Sequence, residues 1–171
     1  MSTLRFNTWQ NTGGTEVANS TMGTGKILQV VQGQRTTSFT TTSTSMVDVP
    51  DVSLSITPSA TTSKVFVIVN GIGGGTNATH GTEFNLVRDS TAIGIGTGGS
   101  DNFSAMLLTR NADMGVGFTI TYLDSPATTS ATTYKLQMST SNSDGTAVIG
   151  RYAAVDYVRA PTTITAFEVS A

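Results

Sequence analysis

The sequence predicts an all-β protein, a jelly-roll β-sandwich of about eight strands plus accessory strands, with an extended arm at the N-terminus. Thr, Ser and Gly supply 68 of the 171 residues (32, 18 and 18, respectively), and the branched Cβ of Thr suits a pleated strand. Short runs with alternating apolar residues recur along the chain, separated by Gly, Pro, Asn and Asp clusters. No window of a dozen residues has the apolar spacing of an amphipathic helix. At this length we expect one domain with one core.

The N-terminal half contains five strand candidates. In order they are Lys26–Val31, Ser38–Thr42, Met46–Val49, Ser53–Thr57 and Lys64–Asn70. Pro50 and Pro58 are expected to end the third and fourth candidates, because proline lacks the N–H that a sheet ladder uses. The run Lys64–Asn70 is the most apolar of the chain and is long enough for a strand buried on both faces.

The C-terminal half contains seven more candidates. They are Glu83–Val87, Ala92–Ile95, Phe103–Thr109, Gly117–Leu123, Thr133–Met138, Ala147–Ile149 and Thr163–Val169. Arg88–Thr91 is predicted to be a hairpin turn. Eleven or twelve strands at this spacing are typical of a double-sheet jelly roll with accessory strands. The predicted core consists of inward-facing apolar side chains, namely Val65, Val67, Val69, Phe118, Ile120, Tyr122, Leu136, Ile164 and Phe167.

The first 25 residues differ from the rest of the chain. They show no strand periodicity, and their large side chains, Leu4, Phe6 and Trp9, stand isolated. We therefore divide the chain into an arm, residues 1–25, and a β-sandwich domain, residues 26–171. The arm cannot bury Trp9 locally. This side chain stays exposed, packs onto its own domain or anchors the arm in a partner, as aromatic residues do at interfaces.

The charge balance excludes several functions. Charged residues make up 12% of the chain, and 9 Lys and Arg against 11 Asp and Glu leave a formal net charge of −2. Nucleic-acid affinity depends on clustered Lys and Arg, so nucleic acid is not an expected partner. Without cysteine there is no disulfide, thiolate metal site or cysteine nucleophile. No apolar run approaches the length of a membrane span and no signal peptide is present, so no membrane association is expected.

Candidate catalytic and metal-binding residues are sparse. The one histidine, His80, lies in a Gly-rich segment that is poorly suited to orient a general base. Asp101-Asn102 and residues 142–145 (Asn-Ser-Asp-Gly) carry oxygen ligands suitable for Ca²⁺, but both are better explained as turns. Asp48 and Asp51 lack the aromatic platforms of a sugar-cleaving carboxylate pair. We therefore predict that the protein is not an enzyme and has no cofactor.

Two Gly-rich runs resemble phosphate-binding loops only superficially. Gly94–Gly99 and Gly71–Gly75 lack the Lys-Ser/Thr pair that follows the glycines of such a loop, and no predicted helix presents their amides. Both are expected to be hairpin loops or places where two backbones approach closely.

Four blocks, taken in their order and spacing, resemble a family of tailed-bacteriophage virion proteins. The blocks are Ser53–Val67, Leu86–Ile93, Tyr122–Gln137 and Thr163–Val169, and the resemblance extends from about Lys26 to Val169. Members of this family are similar to trimeric jelly rolls related in shape to tumour-necrosis-factor domains. They serve as capsid decoration (cement) proteins or as tips of tail fibres.

The resemblance implies a homotrimer on the capsid surface of the virion, bound to the major capsid protein. The anchors expected to contact the capsid are Leu4, Phe6 and Trp9 of the arm. The alternative is a receptor-binding tip that recognises the host surface through loops such as Asp101–Phe103 or Asp124–Thr132. A lytic depolymerase is disfavoured because the sequence shows no acid/base constellation.

Overall fold

The protein is an all-β sandwich of two antiparallel sheets, which confirms the predicted fold class. The computed structural model describes residues 25–76, 81–99, 101–108, 115–152 and 158–171. Within these residues eleven strands form: β1 (Ile27–Arg35), β2 (Phe39–Thr41), β3 (Val47–Ile56), β4 (Lys64–Gly75), β5 (Gly81–Arg88), β6 (Thr91–Ile93), β7 (Ala105–Leu108), β8 (Val116–Asp124), β9 (Thr132–Thr140), β10 (Ala147–Ile149) and β11 (Thr162–Val169). The described part of the chain contains no helix long and apolar enough to cross a membrane.

The first sheet has six strands and is built around β4. One edge of β4 pairs with β8 from Val65 to Gly73. The opposite edge pairs first with β11 and then, at the glycines that end β4, with β10. The sheet is completed by β1, which pairs with β11, and by β2, which pairs with β10.

The second sheet has five strands and is built around β5. One edge of β5 pairs with β9, and β9 pairs in turn with β3. The other edge pairs with β7 near its start and with β6 near its end. Arg88 pairs with Thr91, and Asp89 between them has a φ of 53°. The hairpin predicted at Arg88–Thr91 is therefore confirmed.

The core lies between the two sheets and is filled by alternate side chains of each strand. Seven of the predicted core residues are fully confirmed as buried: Val65, Val67, Val69, Phe118, Ile120, Leu136 and Ile164. Tyr122 is only partly buried and packs against this cluster. The prediction that Phe167 lies in the core is wrong. Phe167 is three residues from Ile164, and successive side chains of a strand point to opposite faces, so Phe167 points away from the core.

The prediction that β4 is buried on both faces is also wrong. Its side chains alternate instead, with Val65, Val67 and Val69 in the core and Phe66 and Ile68 half-buried on the opposite face. Its apolar sequence reflects one face turned to the core and a second apolar face turned outward.

One strand, β3, replaces two predicted strands. Pro50 does not end it, because β3 lies at the edge of its sheet and the ladder shifts register between Asp48 and Ser53. Asp51, inside this irregularity, has a φ of 63°. A proline at an edge and beside a bulge removes no obligatory ladder bond.

Glycines mark places where two backbones approach closely. A Cβ at Gly73 would lie 2.5 Å from the carbonyl oxygen of Val148 on β10. Gly71–Gly75 is therefore not a hairpin loop but the end of β4. The alternative prediction, that two backbones approach closely in this run, is correct for Gly73. At Gly33 of β1, a Cβ would collide with the carbonyl oxygen of Ser53 on β3. There the edges of the two sheets approach each other.

A buried acidic group connects the two sheets. Asp124, at the end of β8, is 5% exposed. Its carboxylate accepts two hydrogen bonds of 2.9 Å from Nη1 of Arg88 and one of 2.6 Å from the Tyr134 hydroxyl. Burial, followed by the bond to Asp124, raises the pKa of Tyr134, and the bond to Asp124 raises the pKa of Arg88. Charge-assisted bonds thus tie β8 to β5 and β9 across the sandwich.

We expect Gly33→Ala to lower the free energy of unfolding by about 1–3 kcal/mol, because the new methyl group forces β1 away from the backbone of β3. Urea unfolding measures the change. Gly117→Ala is the matched control: its Cβ would meet nothing nearer than the Gly71 carbonyl oxygen at 4.0 Å. The control should stay within about 0.5 kcal/mol of wild type. Equal stability of the two variants would contradict the close approach.

Candidate interaction surface

The face of the six-stranded sheet that points away from the core carries a continuous apolar row. The register pairs Val30 with Phe167, Phe167 with Phe66, and Phe66 with Leu123. These four residues, here called the apolar row, cross four adjacent strands from β1 to β8. The rings of Phe66 and Phe167 lie 6.3 Å apart and are tilted by 35°.

Two uncharged rows, polar except for Ile68, lie beside the apolar row. Their members are Gln32, Thr165, Ile68 and Thr121 in one row and Gln34, Thr163, Asn70 and Thr119 in the next. Side chains bond along the rows: Gln32 Nε2 donates to Thr165 Oγ1 at 3.0 Å, and Thr163 Oγ1 donates to Asn70 Oδ1 at 2.7 Å. The three rows, here called the outer face, comprise twelve positions and no charged residue. The row on the other side of the apolar row contains Val169 and the charged Lys64.

The apolar row is accessible to a partner. Val30 is 54% exposed and Leu123 is 53% exposed, and the two phenylalanines between them are half-buried. Ile27 and Leu28 extend the exposed apolar surface at the start of β1. Interface centres are depleted of charge and enriched in aromatic residues, and contiguous apolar patches mark interaction sites. The outer face has these properties.

Sequence reasoning missed the outer face because it assigned apolar side chains to one core. A signal was nevertheless present. In both KVFVIV and TITAFEV, apolar residues occupy consecutive positions, so both faces of each strand carry them. Strict counting by two from Val65 or from Ile164 places Phe66 and Phe167 on the second face.

The arm residues predicted to bind a partner, Leu4, Phe6 and Trp9, lie outside the described residues, and so does His80. Their proposed roles therefore stay predictions. The described chain begins at Gly25, whose N–H donates to the Ser170 carbonyl oxygen at 3.0 Å. The arm thus joins the domain where β1 and β11 meet, next to the exposed start of β1.

Of the two candidate Ca²⁺ segments, residues 142–145 form a turn, as predicted, whereas Asp101 lies in a bend. Asn102 Oδ1 accepts from the Gly99 N–H at 3.3 Å, and its Nδ2 donates to the Gly99 carbonyl oxygen at 3.1 Å. In the second segment the Gly145 N–H donates to the Asn142 carbonyl oxygen at 3.2 Å. Within the described ranges, no three His, Cys, Asp or Glu side chains come together as a metal cluster would require.

The two aspartates that flank Pro50 have separate partners. Lys135 Nζ lies 2.7 Å from Asp48, and Arg35 Nη1 lies 3.0 Å from Asp51. The bonds from Lys135 and Gln137 lower the pKa of Asp48. Asp48 and Asp51 therefore belong to two separate surface ion pairs, and such pairs contribute little to stability.

A second buried acidic side chain, Glu168, holds β1 and a loop against β11. Glu168, on the inward side of β11, accepts hydrogen bonds from the Ser59 N–H (2.7 Å), the Ser59 hydroxyl (2.6 Å) and Gln29 Nε2 (2.6 Å). Burial by itself raises the pKa of this carboxyl, but bonds from Ser59, Gln29 and Ser63 together outweigh it and lower the pKa from 4.5 to about 2. Glu168 thereby fixes β1 and the loop before β4 against β11.

Comparisons with known proteins do not identify a family. No protein-family model and no curated protein matches the chain. A structure of the infectious bursal disease virus Gx strain is similar over 85% of this chain and 39% of the viral chain, with 18% identity and a TM-score of 0.33. This chain thus corresponds to less than half the length of that viral chain.

We expect Glu168→Gln to flatten the dependence of stability on pH in acid. Because the folded pKa, about 2, lies below the unfolded value of 4.5, the unfolded chain binds more protons between these values. The contribution of Glu168 is therefore present above pH 4.5 and is lost as pH falls towards 2. Urea unfolding of wild type and variant at several pH values measures the slope. An unchanged slope would contradict the hydrogen-bonded state of Glu168.

Proposed function

We propose that this protein is a non-enzymatic structural protein of a bacteriophage virion, a decoration protein that stabilises the capsid as a homotrimer. The outer face carries the proposal. It offers twelve uncharged positions in three rows, with four apolar residues aligned across β1, β11, β4 and β8. The ordered sequence blocks that resemble phage virion proteins support the same function.

The absence of charge on the outer face favours self-association. Close to the three-fold axis of a trimer, identical residues meet, so a charged side chain near that axis would be repelled by its own copies. The outer face avoids this repulsion, and pairing of the apolar rows removes Val30, Leu123 and the two phenylalanines from water. We assign the contact between subunits to this face.

The arm is the proposed contact with the capsid. The described chain begins at Gly25, beside the exposed Ile27 and Leu28. An extended chain spans about 3.3–3.6 Å per residue, so an arm of this length reaches well beyond its own subunit. Anchored by Leu4, Phe6 and Trp9, it would join the trimer to the major capsid protein. Binding only to the assembled shell stabilises that shell by linkage.

A receptor-binding tip is the second candidate function. It is favoured by a pocket beside Asp101 and Phe103, on the opposite side of the sandwich from the outer face. This alternative requires the isolated protein to bind host cells with no capsid present.

We expect Leu123→Glu to convert the trimer to a monomer, because three introduced carboxylates would meet where the apolar rows pack together. Leu123 is 53% exposed in the single chain, so the variant should still fold. Ser55→Glu is the matched control, since Ser55 is exposed on β3 of the other sheet. Light scattering measures the mass. A wild-type monomer, or a trimer unaffected by Leu123→Glu, would contradict the assignment of the outer face.

We expect deletion of residues 1–25 to abolish capsid binding and to leave a folded trimer. Cosedimentation with capsids that lack this protein measures binding, and light scattering measures the trimer. The triple variant Leu4→Ala, Phe6→Ala, Trp9→Ala tests the anchors with the arm still present. Full capsid binding by the truncated protein would refute the role of the arm.

A further inference from the structure

A pocket of about 240 Å³ opens on the far side of the five-stranded sheet. Glu83 of β5 and Ser139 at the end of β9 form its floor, both on the side of the sheet that faces away from the core. Loops before β3 and β7 form its walls and contribute Thr44, Asp101 and Phe103. The capsid contact proposed above does not involve this pocket, whereas the receptor-binding alternative would use it.

Glu83 is a buried carboxylate with one hydrogen bond. The side chain is 8% exposed, and Oε2 accepts from the Ser139 hydroxyl at 2.7 Å. Oε1 has no hydrogen-bond partner among the described residues. Oε1 is not one of the fully buried atoms, so it is open to the pocket. A ligand in the pocket can therefore donate a hydrogen bond to Glu83 Oε1.

The lining selects the chemical class of the ligand. None of the described residues that line the pocket is cationic, so an anionic group such as phosphate finds no counter-charge. Two carboxylates and several hydroxyls accept and donate hydrogen bonds, and the half-buried ring of Phe103 offers a flat apolar wall. The volume lies below the roughly 300–1,000 Å³ of pockets for drug-sized ligands, so one small unit fits.

We propose that this pocket binds a neutral saccharide unit. Glu83 accepts hydrogen bonds from sugar hydroxyls, since bonds to a charged acceptor are the stronger ones, and Phe103 packs against the C–H face of the ring. The pocket and the outer face lie on opposite sides of the sandwich, so an assembled trimer leaves its pockets open. The proposal does not depend on the capsid contact.

The test is calorimetric titration of the full chain with D-glucose, D-galactose and N-acetyl-D-glucosamine, and separately with Ca²⁺. We expect saturable binding of at least one sugar, with a Kd on the order of millimolar, which corresponds to about −4 kcal/mol. Glu83→Gln and Phe103→Ala should each weaken that binding about tenfold or more. Asp51→Asn, which removes an equal charge from a residue that does not line the pocket, should leave the Kd unchanged.

Thermal unfolding of each variant identifies any that fails to fold. If Glu83→Gln does not fold, sugar binding by Phe103→Ala and Thr44→Ala tests the proposal, because both side chains belong to the pocket wall. The proposal is overturned if none of the three sugars binds, or if the pocket variants bind sugar as wild type does. Binding of Ca²⁺ that is lost in Glu83→Gln, with no sugar binding, would also overturn it.

Discussion

The strand register of β11, β4 and β8 is the constraint on which the rest of this structure depends. It aligns Ile164 with Val69 and Ile120 on the core side. On the other side it aligns Phe167 with Phe66 and Leu123. Because side chains alternate with a period of two, a slip of one residue would exchange the two sets. The core and the outer face are therefore two results of one register.

The same register places two acidic side chains in one buried row. Glu168 pairs with Val65, and Val65 pairs with Asp124. Each carboxylate receives its own donors, Gln29 and Ser59 for Glu168 and Arg88 and Tyr134 for Asp124. At this end of the sandwich the apolar core therefore gives way to satisfied polar groups, which tie a loop and the second sheet to the first.

The molecule presents two chemically different sides. The outer face is uncharged and partly apolar, which suits contact with identical copies. The opposite side contains a polar pocket with a buried carboxylate, Glu83, and an aromatic wall at Phe103. The proposed function would use this division, because one surface would hold the assembly together and another would stay open to its surroundings.

Composition and alternation by themselves determined the fold class, the hairpin at Arg88–Thr91, seven of the core residues and the turn at residues 142–145, because these depend on neighbours in sequence. The resemblance of the ordered blocks to a phage family and the arm with Leu4, Phe6 and Trp9 stay predictions. Only the tertiary structure decided the continuity of β3 through Pro50, the alignment of Phe167 with Phe66 and Leu123, and the pocket at Glu83. Each of these depends on which strand lies beside which and in what register, and such long-range pairing is not encoded in any local pattern of residues.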